Sequence, residues 1–223
     1  MHIPDGLVSN SVNAATFAAS FGVCGLALLR AKKTLGEKEA PLLGVTAAFI
    51  FAAQMLNFPI AGGTSGHFLG SLLAAILLGP LNACLVMAVV IGMQCVGFGD
   101  GGWLALGSNI FNMGLVGAIA GYAIFRVIAA VLPKNRSCFL AASALASWLA
   151  VVLASACCAV ELAVSGTLPL RVTLPAMVGV HALIGVGEAI ITTAVLSTVL
   201  AVRPDLVCAW PAAARMEGAG ANG

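Results

Sequence analysis

The chain holds three histidines, and two stand where they could bind a metal. His2 is the second residue. Retention of Met1 is expected, because a bulky second residue blocks the usual aminopeptidase. The Met1 amine, the His2 backbone nitrogen and the His2 imidazole can then chelate one ion through fused five- and six-membered rings. The amide must lose its proton, which requires an ion with a strong in-plane preference for nitrogen. Ni(II) and Cu(II) have that preference. Three corners of a square are filled and the fourth is open. His67, at the end of Asn57-Phe58-Pro59-Ile60-Ala61-Gly62-Gly63-Thr64-Ser65-Gly66-His67, is the candidate fourth donor. The residue types also allow a plainer reading, with His2 a frayed terminal residue and His67 a helix-start donor. The glycines suit a loop wrapped around a small object, and an ordinary turn equally well.

Other polar groups surround this core. Asp5 could fix the tautomer of a ligand imidazole or make an Asx turn with Gly6. Thr64 and Ser65 read as supports for the loop backbone, and Asp100 as a cation attractor or turn residue. His181 and Glu188 are seven apart, two helical turns, so they share a face. An ionisable group inside an apolar span is a functional candidate by default. His181 and Glu188 read as a polar network, either a brace beneath the site or a pairing with Asn109 or Asn112. Glu161 and Arg171 read as flanking a loop. The seven cysteines form no CxxC pair, and most lie in apolar runs, as small hydrophobes do.

The elements that must position these groups are apolar. The chain has 223 residues, of which 61% are hydrophobic and only 8% charged, with mean hydropathy +1.09. A soluble domain is about 25% charged. Such a composition excludes a soluble enzyme, a nucleic-acid binder and a disordered chain. The first residues carry no basic n-region, so a signal peptide is not expected.

Apolar stretches separated by Gly, Pro and charge predict an all-α polytopic membrane protein. The segments run from about residue 8 to 30, 41 to 56, 68 to 78, 81 to 96, 104 to 132, 139 to 164 and 174 to 202. The third is roughly 17 Å long as a helix, too short to span, and Gly79-Pro80 breaks it. Counting seven transmembrane segments, with the N-terminus outside and the C-terminus inside, puts Arg30, Lys32, Lys33, Lys38, Arg126, Lys134, Arg136, Arg203 and Arg215 on one side. Only Arg171 falls on the other. A six-segment count blurs that asymmetry, so positive-inside placement favours seven. Residues 1–203 are expected to form a single membrane domain with its metal site on the outer face. Residues 204–223 read as a flexible tail. The short third segment lies just behind His67, and interrupted hydrophobic segments are pointers to transporter sites.

Several motifs together resemble the NikM/CbiM family, the substrate-binding membrane components of energy-coupling-factor transporters for nickel and cobalt. They are His2-Ile3-Pro4-Asp5-Gly6, Phe58 to His67, Leu78-Gly79-Pro80, Phe98 to Gly102, Gly107-Ser108-Asn109-Ile110-Phe111-Asn112-Met113-Gly114, and His181 to Glu188. The resemblance covers about residues 1–202. It implies that the N-terminal amine, His2 and His67 bind the metal. It further implies uptake driven by a transmembrane coupling component, two ATPase subunits and often a small accessory membrane subunit. Pro4-Asp5-Gly6 and the Gly-Gly-Thr-Ser-Gly-His form are closer to nickel members, so Ni2+ is the expected substrate and Co2+, for cobalamin biosynthesis, the alternative.

No GxxxxGK[ST] motif occurs, so ATP hydrolysis would belong to partners and the chain itself is expected not to be an enzyme. A membrane metalloenzyme would want paired carboxylates or HExxH, and neither is present. A self-sufficient carrier or a purely structural subunit are the remaining rivals. Location in the inner membrane is expected, and no nucleic-acid partner.

Overall fold

The computed structural model describes residues 1–36, 39–60 and 64–210. Lys38, Gly62, Gly63 and Arg215, invoked above, lie outside the described residues, as does all of 211–223.

The helices are α1 (Asn10–Thr34), α2 (Glu39–Gln54), α3 (Ser71–Leu78), α4 (Pro80–Phe98), α5 (Leu106–Ile110), α6 (Gly121–Val131), α7 (Arg136–Val164) and α8 (Leu170–Val202). A π-helical stretch, Phe111–Ala120, joins α5 to α6. Among the described residues, five helical rods are long and apolar enough to cross a membrane: α1, α4, the α5–α6 rod, α7 and α8. At 16 and 8 residues, α2 and α3 fall short of the roughly 20 that a crossing needs.

Burial on α1 is inverted relative to a helix of a water-soluble protein. In α1 the buried stripe is Asn13, Thr16, Ser20, Ala27 and Ala31, while Phe17, Phe21, Leu26, Leu28 and Leu29 face outward. Lipid is as apolar as leucine, so small and polar side chains make the helix contacts. Thr16 Oγ1 meets Ser108 Oγ at 2.8 Å, and Ser20 Oγ donates to the Gly107 carbonyl at 2.8 Å. A Cβ on Gly107 would stand 2.5 Å from the Phe17 Cα, so only glycine allows this approach. Helices α7 and α8 form an extensive pair, with Trp148 Nε1 donating to the Ala182 carbonyl at 2.9 Å.

Helix α3 is the centre of the molecule, and all eight of its residues are buried. It opens at Gly70 (φ +74°) and closes at Gly79 (φ +85°), and Pro80 starts α4 with its φ already preset. The interrupted third segment is therefore a buried half-helix held among α4, the π-helical stretch, α6 and α7.

Two expectations need correction. The glycine-rich loop contains an antiparallel hairpin, β1 (Asn57–Ile60) and β2 (Thr64–His67), with Asn57 opposite His67. Its alternation was masked by proline and glycine. The tail expected from residue 204 is docked as far as Trp210. The Cys208 and Ala209 amides donate to the Leu77 and Ile76 carbonyls at 3.0 Å, and Trp210 packs edge-on against Phe139.

Candidate metal-capture site

The first nine residues form an arm stitched to the segment between α4 and α5. Asn109 clamps Ile3 from both sides: its Oδ1 accepts the Ile3 amide at 2.8 Å and its Nδ2 donates to the Ile3 carbonyl at 3.1 Å. The Gly102 amide donates to that same carbonyl at 2.9 Å. The Asp5 carboxylate accepts the Trp103, Leu104 and Ala105 amides at 2.8–3.2 Å. A Cβ on Gly102 would lie 2.0 Å from Asp5 Oδ1, so glycine is required there. Further along, Thr167 Oγ1 donates to the Leu7 carbonyl, and the Ser9 amide donates to Ser165 Oγ at 2.9 Å. Asp5 thus binds backbone, not an imidazole.

The arm buries Met1 and His2, which are 0% and 2% exposed, beside His67 at 1%. The His2 and His67 rings stack with centroids 4.6 Å apart and planes 29° from parallel. The His2 amide donates to Ser65 Oγ at 3.2 Å, and the His2 Nε2 nitrogen meets Gln94 Oε1 at 2.9 Å. With Nε2 carrying the proton, Nδ1 keeps its lone pair. Nδ1 has no hydrogen-bond partner and lies 3.5 Å from the Asp100 carboxylate. His67 reverses the assignment: Nδ1 donates to the Phe68 carbonyl at 2.6 Å, and the buried Nε2 has no partner. Each ring is oriented by one nitrogen and offers the other, as ligand histidines do.

All three groups are held neutral. Burial pushes the Met1 amine from 8.0 down to about 4, against the opposing influence of Cys158 and Asp100. Burial first, and then the adjacent amine, push His2 down to about 3. Burial, the amine and His2 hold His67 well below the usual imidazole range. Protons therefore compete little for these lone pairs at neutral pH.

The second wall comes from α8. Glu188 accepts the Leu69 and Gly70 amides, both at 2.7 Å, and Gln54 Nε2 donates to the Leu69 carbonyl at 2.7 Å. Thr64 Oγ1 meets Met177 Sδ at 3.2 Å. His181 Nδ1 donates to the Met177 carbonyl at 2.8 Å. Asn112 Nδ2 donates to Glu161 Oε2 at 2.8 Å inside the bundle. Of the two alternatives for His181 and Glu188, pairing with Asn109 or Asn112 is not made: Glu188 binds strap amides, His181 Nδ1 its own helix, and the asparagines bind Ile3 and Glu161. Glu161 is a buried helical residue of α7, not part of a loop. Sequence reasoning missed Gln94, which orients His2. Its signal is an amide side chain deep within an apolar helix, and in the structure it is fully buried.

Among the described residues, no group of three or more His, Cys, Asp or Glu side chains is placed to hold a metal. What converges instead is two imidazoles with a main-chain amine and amide. The class defined so far is a helical membrane protein with a buried, nitrogen-rich cluster at its N-terminal arm.

Known proteins narrow this class. Residues 2–206 match the family model described as CbiM, cobalt uptake substrate-specific transmembrane region. The chain belongs to this family of nickel/cobalt transport membrane proteins. It is 44% identical over 209 residues to "Putative fused nickel transport protein NikMN" of Archaeoglobus fulgidus, covering 93% of this chain and 68% of the relative. It is 37% identical over 146 residues to cobalt transport protein CbiM 1 of Pelobacter propionicus, covering 64% and 65%. A crystal structure of a transition metal transporter superposes with TM-score 0.85 at 30% identity, over 100% of both chains.

Proposed function

We propose that this chain is the substrate-capturing membrane component of an energy-coupling-factor transporter and that it captures Ni2+. The donors are the Met1 amine, the His2 amide nitrogen, His2 Nδ1 and His67 Nε2. The observation carrying this reading is the complementary orientation of the two rings, each with one nitrogen tied to an oxygen and the other buried and bare. Ring spacing supports it. With metal–nitrogen bonds of about 2 Å, two imidazoles at neighbouring corners of a square have centroids about 4.5 Å apart. The observed separation is 4.6 Å. Charge supports it as well. A divalent ion that displaces the amide proton leaves one net positive charge, and the Asp100 carboxylate lies beside His2 to balance it.

In this reading the chain crosses the membrane with seven segments, the N-terminus outside and α3 a half-helix behind the site. The segregation of Lys and Arg supports that orientation. Transport is driven by a transmembrane coupling component and two ATPase subunits, with a small accessory membrane subunit. Ala14, Ala15, Ala18 and Ala19 on α1, and Ala48 and Ala52 on α2, are exposed, and their small side chains suit close approach of a partner's helices. The family description favours a second reading, Co2+ as substrate. The relative at 44% identity, named for nickel, favours the first.

Competition titration of purified protein with a native N-terminus tests both. Nickel is expected to displace cobalt, and one added N-terminal residue to abolish tight binding. Undiminished affinity in the extended protein would overturn the amine ligand.

A further inference from the structure

The capture site leaves the buried imidazole of His181 unused. His181 is 0% exposed, with Nδ1 committed to the Met177 carbonyl and Nε2 without any partner. Its position relative to the site follows from two fixed points. Strand β2 and the turn after it run along the buried stripe of α8 that contains Met177, His181, Gly185 and Glu188. Thr64 is pinned to Met177 at one end, and Leu69 and Gly70 to Glu188 at the other. His67 lies between the pinned points on the strap, and His181 between them on the helix. The His181 imidazole is close enough to His67 and the Met1 amine for mutual electrostatic influence.

We propose that His181 Nε2 is the next metal donor inward of the Met1–His2–His67 chelate, taking the ion as it leaves toward the transporter's interior. This rests on the capture reading above. An uncharged, buried nitrogen already oriented by its partner on the other ring atom suits a divalent ion passing through. The exchange is redox-neutral. A bond from Nε2 to the ion forms as the bonds from the outer nitrogens break, and the His2 amide recovers from water the proton lost on loading. His181 keeps its own proton on Nδ1.

The test uses two variants, beginning with His181→Leu. Its equilibrium nickel affinity, measured on purified protein, is expected to stay within about threefold of the unsubstituted chain. In cells producing the chain with its coupling and ATPase partners, its maximal nickel uptake rate is expected to fall about tenfold or more, with half-saturation unchanged. His181→Cys, loaded with Co(II), is expected to show a thiolate-to-metal charge-transfer band that the unsubstituted protein lacks, and to restore part of the uptake. Wild-type uptake by His181→Leu would overturn the proposal. So would an affinity loss as large as its uptake loss, which marks a structural brace, or the absence of the thiolate band. Failure of the unsubstituted protein to bind nickel would overturn the capture reading itself.

Discussion

The two strands of chain that bring the histidines together are held in different ways. The N-terminal arm is tied along its whole length: at Ile3 by Asn109 and Gly102, at Asp5 by three amides, and at Leu7 and Ser9 by Thr167 and Ser165. The strap bearing His67 is hung from fewer points, chiefly Glu188 and Gln54 around Leu69 and Gly70. Three of the four proposed donors sit on the arm, where dense main-chain bonding preorganises a chelate. The strap brings one donor, and a lightly anchored ligand is the natural one to let go first. The arm's denser bonding fits a capturing role, and the strap's fewer side-chain anchors, Glu188, Gln54 and Thr64, fit a releasing one.

This contrast can be broken by substitution, in a graded order. Extending the N-terminus by one residue removes the amine and disrupts the chelate. Nickel affinity, measured by competition with a chromogenic chelator, is expected to fall about a thousandfold or more, about 4 kcal/mol. His67→Ala removes one donor of four and is expected to cost about a hundredfold in the same assay. Asn109→Ala, which frees Ile3 without touching a donor, is expected to cost about 10–100-fold, as losses of outer-shell partners do. Glu188→Gln keeps an acceptor for one of the two strap amides, so its loss is expected at about tenfold or less. Equal effects from the Asn109 and Glu188 variants would erase the distinction between arm and strap.

Proton release sharpens the same comparison. The amine and both imidazoles are already neutral in the folded protein, with the amine at about 4 and His2 at about 3. Above about pH 5 only the amide proton is displaced, so affinity rises with pH, by about tenfold per unit through neutrality. Were these groups exposed, at their ordinary values, their titration would steepen the dependence below about pH 8. A pH series of the competition assay reads the slope directly.

Much of this was legible in the sequence. The paucity of charge named the environment and Gly79-Pro80 marked the broken helix, because each signal is local; His2 and His67, singled out by residue type, stack in the structure. What escaped was set by tertiary contact. Asn109 and Asn112 look interchangeable in sequence, yet Asn109 lies in α5 and Asn112 in the π-helical stretch, and they serve different elements: the arm and α7. Gln94 has no motif, and its role exists only once α4 lies beside the arm. The pairing of 57–60 with 64–67 was hidden because proline and glycine ordinarily argue against strands. Trp210 is held by Phe139, far away in sequence, so the docking of residues 204–210 carries no local signal.

The most direct measurement is anomalous diffraction at the nickel edge from crystals of the loaded protein with its native first residue. A single strong peak is predicted, bonded to the Met1 amine, the His2 amide, His2 Nδ1 and His67 Nε2. A peak elsewhere, or a nickel ion lacking any of these four nitrogens, would contradict it.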